Sequence, residues 1–180
     1  MFDIVGKFFK SRPEKRKEAA RQAAKDLRDL KQSNANSKGV TYDSGLIQSL
    51  EKDHEMLVEI FGKIWSQGYE KSDFDAVCFH LSDFKALFQS HLLRENVKFY
   101  VYLEQALRKD SHSLSIVKEF RKDMNDIANA VIGFCKKYDK PEYTEVAHEA
   151  FKADYQAIGQ ALVRRVQLEE RDLYSLYVRS

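Results

Sequence analysis

Five ionisable side chains, His54, His91, Glu95, Arg165 and Glu169, fall at positions where helical spacing would otherwise place Leu or Phe. Charge buried in an apolar interior is costly unless it is paired or bound to metal, which makes this set the candidate site. Two imidazoles and two carboxylates are donors that first-row transition metals accept. The same groups can instead close a buried network in which Arg165 neutralises Glu95 and Glu169 while the histidines donate to them, either as a structural device or as a proton-sensitive switch. A lone inward histidine is more often a hydrogen-bonded core residue than a ligand. Here two histidines have acids for company on separate stripes.

The stripes that must position these groups follow from the spacing of apolar residues. Ile47, Leu50, Leu57, Phe61 and Ile64 recur at steps of three and four, and His54 lies on the same face. A second stripe holds Val77, Leu81, Phe84, Phe88, Phe99, Tyr102 and Ala106, with His91 and Glu95 filling the turns between. Val117, Phe120, Met124, Ile127, Val131, Phe134 and Tyr138 form a third stripe without an ionisable group. In the fourth, Phe151, Tyr155, Ile158, Leu162, Leu173 and Leu176 bracket Arg165 and Glu169 at i, i+4 spacing. Tyr100, Tyr102, Tyr155 and Tyr174 are within reach of the polar cluster, although aromatic residues at this spacing usually pack. His80 fits a boundary position, His112 a helix start, and His148 the flank of the last helix.

These stripes predict four helices, at about 44–66, 73–109, 112–138 and 142–177. Ser72 with Asp75 suits a capping box for the second, Ser111 or Ser113 a cap for the third, and Pro141 the first turn of the fourth. Only 7 Gly and 2 Pro in 180 residues leave little turn chemistry for a sheet. The expected fold is all-α, an up-down-up-down antiparallel four-helix bundle, because short connections favour antiparallel neighbours. It occupies residues 46–180, behind a Ser/Asn-rich linker, SNANSKGVTYDSG, over 33–45.

Cys78 and Cys135 lack CxxC spacing and read as reduced packing residues. No apolar run approaches the length of a bilayer span, and Asp3 and Lys7 interrupt the apolar start, so a cytoplasmic location is expected. No Ser–His–Asp or Cys–His arrangement, phosphate loop or nucleophile elbow is present, which argues against an enzyme.

Residues 1–32 form a basic, partly helical arm with 10 Lys or Arg against 5 Asp or Glu, while the overall net charge is only +2. Phe2, Val5, Phe8 and Phe9 give it an apolar edge. Such an arm suits a protein partner, an acidic membrane surface, or a second copy of the chain in a homodimer. Nucleic acid is disfavoured, because acids interrupt the basic run and no aromatics are interleaved with it.

The segments LEKDHEMLVEIF around His54, HLLRENVKFYVYLEQ around His91 and Glu95, and RRVQLEERDLYSLY around Glu169 resemble the hemerythrin-like, or HHE cation-binding, family. The resemblance spans 46–177. It implies a four-helix bundle holding a di-iron centre for oxygen binding, sensing or iron handling, with His54, His91, Glu95 and Glu169 at ligand positions. Two departures reduce that set. The third helix presents Met124 and Ala128 where the family brings histidines, and Arg165 stands where the fourth helix would begin its His-then-Glu pair. The implied cofactor is therefore iron, mononuclear or di-iron, or no metal at all.

A second resemblance covers about one helix: IGQALVRRVQLEERDLY, together with FQSHLL, is similar to the Rsd and AlgQ anti-sigma regulators. It implies a metal-free regulatory module that binds the principal sigma factor.

Overall fold

The computed structural model describes residues 39–179, and the basic arm expected over 1–32 lies outside them, as does the first part of the linker. Among the described residues all regular structure is helical and there is no strand. After a non-helical lead over residues 39–45, helix α1 runs Leu46–Lys63 and continues into a π turn, Ile64–Gly68, and a 3-10 turn, Tyr69–Lys71. Helix α2 (Phe74–Arg94) passes through a π segment, Glu95–Tyr100, into α3 (Val101–Ala106). Helix α4 spans Ser111–Lys137, the short α5 Pro141–Val146, and α6 His148–Leu168. A π turn, Glu169–Leu173, and a 3-10 turn, Tyr174–Leu176, follow α6. The principal helix contacts are α1 with α2, α4 with α6, and α2 with both α4 and α5. None of the described helices is long and apolar enough to cross a membrane.

Local chemistry sets the helix ends, one residue away from some of the predicted caps. Asp73, not Ser72, caps α2, its carboxylate accepting from the Ala76 amide at 2.9 Å. Ser72 instead takes a left-handed conformation, φ 51°, in the reversal between α1 and α2. Asp110 caps α4 by accepting from the His112 and Ser113 amides, and Ser113, one of the expected caps, donates its hydroxyl back to Asp110 at 2.6 Å. Carboxylates accept well at this position, so a neighbouring Asp displaces Ser. Pro141 opens α5 as expected, since its missing N–H falls where a helix has no internal acceptor. The fourth predicted helix is broken at Ala147, which separates α5 from α6.

Two apolar clusters fill the interior. One gathers residues including Leu57, Ile64, Phe84, Phe88, Val131, Phe134, Phe151 and Ile158. The other gathers residues including Leu46, Leu50, Phe99, Leu103, Val117, Leu173 and Tyr177. Each fully buried side chain of this size contributes about 1.5–3 kcal/mol of hydrophobic stabilisation. Along α1 the two clusters are separated by Asp53 and His54, along α2 by Ser90, His91, Arg94 and Glu95, and along α6 by Arg165 and Glu169, all of them buried. A polar layer thus divides the core.

The seams are rotated slightly from their predicted faces. On α1 the buried stripe is Leu46, Leu50, Asp53, His54, Leu57, Ile60 and Ile64, with Ile47 and Phe61 only partly buried at its edge. Beyond the π segment at Glu95 the stripe moves onto Tyr102 and Leu103, and Ala106 is exposed. Beyond the π turn at Glu169 it moves onto Tyr174 and Tyr177, leaving Leu176 at the surface. In a π turn each N–H reaches a carbonyl five residues back, so each such turn shifts the following face by one residue.

Candidate metal centre

The five residues singled out by spacing all lie in the polar layer: His54 3 %, His91 2 %, Glu95 0 %, Arg165 3 % and Glu169 1 % exposed. Ligand-type atoms of His54, His91 and Glu169 lie within 4.8 Å of one another. Glu95 stands just outside that trio, its Oε2 4.0 Å from His91 Nε2. The His54 and His91 rings meet at 4.8 Å between centroids, tilted by 55°. Both glutamates are the first residues of π segments, an irregularity that recurs at functional sites.

Arg165 donates from Nε to Glu169 Oε1, from Nη2 to the Tyr100 hydroxyl at 2.5 Å, and from Nη1 to the Phe120 carbonyl at 3.1 Å. It forms no hydrogen bond to Glu95, so the closed network expected to tie Arg165 to both acids is tied to one. The other Glu169 oxygen faces His54 Nε2 at 3.1 Å. Both oxygens of Glu95 are buried without a partner in good hydrogen-bond geometry.

This arrangement drives the two acids apart. Burial raises the Glu95 carboxyl well above the usual range, the Glu169 charge adds to the rise, and Arg165 offsets only part of it. Burial also opposes ionisation of Glu169, but the His54 hydrogen bond and the Arg165 charge together hold it below the ordinary value. His54 is raised: burial alone would lower it, and its contacts with Glu169 and Glu170 overcome that. Burial and the neighbouring charges thus push the two acids in opposite directions, Glu95 toward its neutral form and Glu169 toward its anion.

Two acids that spacing did not single out belong to the same layer. Asp53 accepts from Arg94 Nη1 at 2.8 Å and lies 3.4 Å from His91 Nδ1. Glu170 Oε1 is 2.8 Å from His54 Nδ1. The only sequence signal for either was adjacency, Asp53 preceding His54 and Glu170 following Glu169. Of the nearby tyrosines, Tyr100 and Tyr174 reach the cluster, the Tyr174 hydroxyl 3.4 Å from His54 Nε2. Tyr102 and Tyr155 donate elsewhere, to the Val178 and Phe61 carbonyls. His80 is buried beside Gln67, further inside than its expected boundary position, and His148 stacks on Tyr69. Met124 and Ala128 pack in the apolar cluster, so α4 brings no ligand at those positions.

The family model of the hemerythrin HHE cation binding domain matches residues 45–177. The chain belongs to that family. No curated protein and no solved structure gives a significant match to it. The residues present fit a small transition-metal cation in donor chemistry: imidazole nitrogens of His54 and His91, a Glu169 oxygen, and the Glu95 carboxyl, whose oxygens make no hydrogen bond in good geometry.

Proposed function

We propose that the polar layer binds a single transition-metal cation, iron first among them, in a binding or sensing role and not in catalytic turnover. The reading sets it in a cytoplasmic, antiparallel up-down-up-down bundle. The observation that carries it is the convergence of His54, His91 and Glu169 within 4.8 Å inside a buried polar layer, next to Glu95, whose carboxyl oxygens make no hydrogen bond in good geometry. A cation would supply hydrogen-bond-like contacts and positive charge to the buried Glu95 carboxyl. When bound, iron supplies a Lewis-acidic, redox-active centre, and the packed helices exclude water from it.

Arg165 supports a stoichiometry of one. Its guanidinium occupies one oxygen of Glu169 and brings a permanent positive charge to the layer, which disfavours a second dication beside the first. Elemental analysis of protein purified without chelator, set against a His91→Ala, Glu95→Ala double variant, tests the reading. About one metal ion per chain in the parent and loss of it in the variant is the expected outcome. Equal and negligible metal in both rejects it.

The same contact favours a second reading. Arg165 already neutralises Glu169, so the chain can serve as a metal-free regulatory module that binds a protein such as a sigma factor through its bundle surface or its basic arm. Capture of stoichiometric sigma factor from bacterial lysate by metal-free protein supports it, and failure with and without residues 1–32 rejects it.

A further inference from the structure

Each histidine of the polar layer has a carboxylate from a different helix on its Nδ1 edge. His54, on α1, has Glu170 Oε1 at 2.8 Å, from the π turn that follows α6. His91, on α2, has Asp53 Oδ2 at 3.4 Å, from α1, a contact that falls outside good hydrogen-bond geometry. On the opposite ring edges, His54 Nε2 faces Glu169 Oε2 at 3.1 Å, and His91 Nε2 faces Glu95 Oε2 at 4.0 Å. A neutral imidazole carries one N–H and one lone pair, and an ionised carboxylate only accepts. Without a cation His54 can donate from both edges, to Glu170 and to Glu169; once a cation takes the Nε2 side, an acid on the Nδ1 edge selects the Nδ1–H tautomer and leaves the Nε2 lone pair for the cation.

We propose that Asp53 and Glu170 are positioning residues that fix the tautomer and the orientation of His91 and His54, so that both Nε2 atoms are presented to a cation. This rests on the cation-binding reading of the site and extends it to two acids that are not ligands. Asp53 is itself held: Arg94 Nη1 donates to it at 2.8 Å and to Ser49 Oγ at 2.8 Å. Glu170 is placed by its neighbour, since the π turn that turns Glu169 into the core puts Glu170 at the rim, with its side chain 42 % exposed. The bracing is crossed, because α1 orients the ring of α2 while the tail of α6 orients the ring of α1. Such outer carboxylates make a ligating imidazole more basic, and their loss costs about 10–100-fold in metal affinity.

The test uses the full chain with zinc(II) as a diamagnetic probe. Affinity is read by competition with a chromophoric chelator, and the ring nitrogens by two-bond proton–nitrogen correlation spectra. In the zinc-loaded parent both rings are expected as Nδ1–H tautomers. Glu170→Ala should weaken zinc by about 10–100-fold and release the His54 ring from its fixed tautomer, while Glu170→Gln, which keeps an acceptor, should restore part of the affinity. Asp53→Asn should act in the same direction on His91. Glu170 lies at the rim, so its variants fold and the test does not depend on Asp53. Zinc affinities within about twofold of the parent in Glu170→Ala, with unchanged ring nitrogens, overturn the proposal while leaving the cation site standing. A parent that binds no zinc overturns both.

Discussion

Arg165→Leu in chelator-treated protein isolates the electrostatics of the polar layer. The side chain is 3 % exposed, and its loss removes the donors to Glu169, to Tyr100 at 2.5 Å and to the Phe120 carbonyl at 3.1 Å. Glu169, 1 % exposed, would keep His54 at 3.1 Å and the nearby His91 ring as its remaining buried partners. Breaking a buried pair by removing one partner costs about 3–5 kcal/mol, because the other charge is stranded. For a chain of this size each kcal/mol moves the melting temperature by about 2–4 °C, so the expected fall is about 6–20 °C. A control removes the stranded charge: the Arg165→Leu, Glu169→Gln double variant should recover much of the loss, giving a coupling energy of about 1–3 kcal/mol. Thermal melts followed by circular dichroism in excess chelator provide the assay. An Arg165→Leu melt within about 2 °C of the parent refutes the reasoning, because it means that the carboxylate finds water or another cation.

Zinc should reverse the ranking. A cation that binds only the folded state raises its stability in proportion to the logarithm of ligand over dissociation constant. Removing a buried guanidinium takes a like charge away from the cation and frees one Glu169 oxygen. Arg165→Leu should therefore gain more from zinc than the parent gains. A smaller gain would place Arg165 among the groups that help the cation.

Two further outcomes test the surrounding fold. A Cβ on Gly68 would meet the Val77 backbone nitrogen at 2.9 Å, so Gly68→Ala should cost about 1–3 kcal/mol in urea unfolding by wedging α1 from α2; an unchanged midpoint contradicts that packing. Burial pushes the Cys135 thiol up to about 11 and raises Cys78 as well, so at pH 7.5 both should react with a disulfide reagent far more slowly in native than in unfolded protein, and rapid native labelling of Cys135 would show that α4 opens locally.

The five buried ionisable residues were legible in the sequence because a charge on an apolar stripe is conspicuous. All five lie in one layer, and the match to residues 45–177 agrees with the resemblance seen in three short segments. Asp53 and Glu170 were not legible. Asp53 was hidden because the α1 stripe was centred on Ile47 and Phe61; the true face is turned toward Leu46 and Ile60, which brings Asp53 inward with His54. Glu170 was hidden because its polar tip reaches the layer from the rim, and a period-based reading assigns such a residue to solvent. The partners of Arg165 depended on side-chain geometry that spacing does not carry.

The π segments follow from a pattern in the same letters. Buried residues fall at 91, 95, 99 and 103 and again at 165, 169, 173 and 177, two runs at steps of four. An α-helix advances about 100° per residue, so each step of four overshoots a full turn by about 40°, and three steps carry the last residue about 120° off the starting face. A regular helix could not keep His91, Glu95, Phe99 and Leu103 on one side. One extra residue within the run absorbs about 100° of that drift and returns Leu103 to the core; the π turn at Glu169 likewise carries Leu173 inward before the 3-10 turn at Tyr174. The widening begins at Glu95 in one helix and at Glu169 in the other, the two acids of the polar layer. Helical register and site geometry are therefore one constraint: the turns that let the apolar cluster of Leu46, Phe99 and Leu173 close are the turns that deliver both carboxylates beneath the histidines.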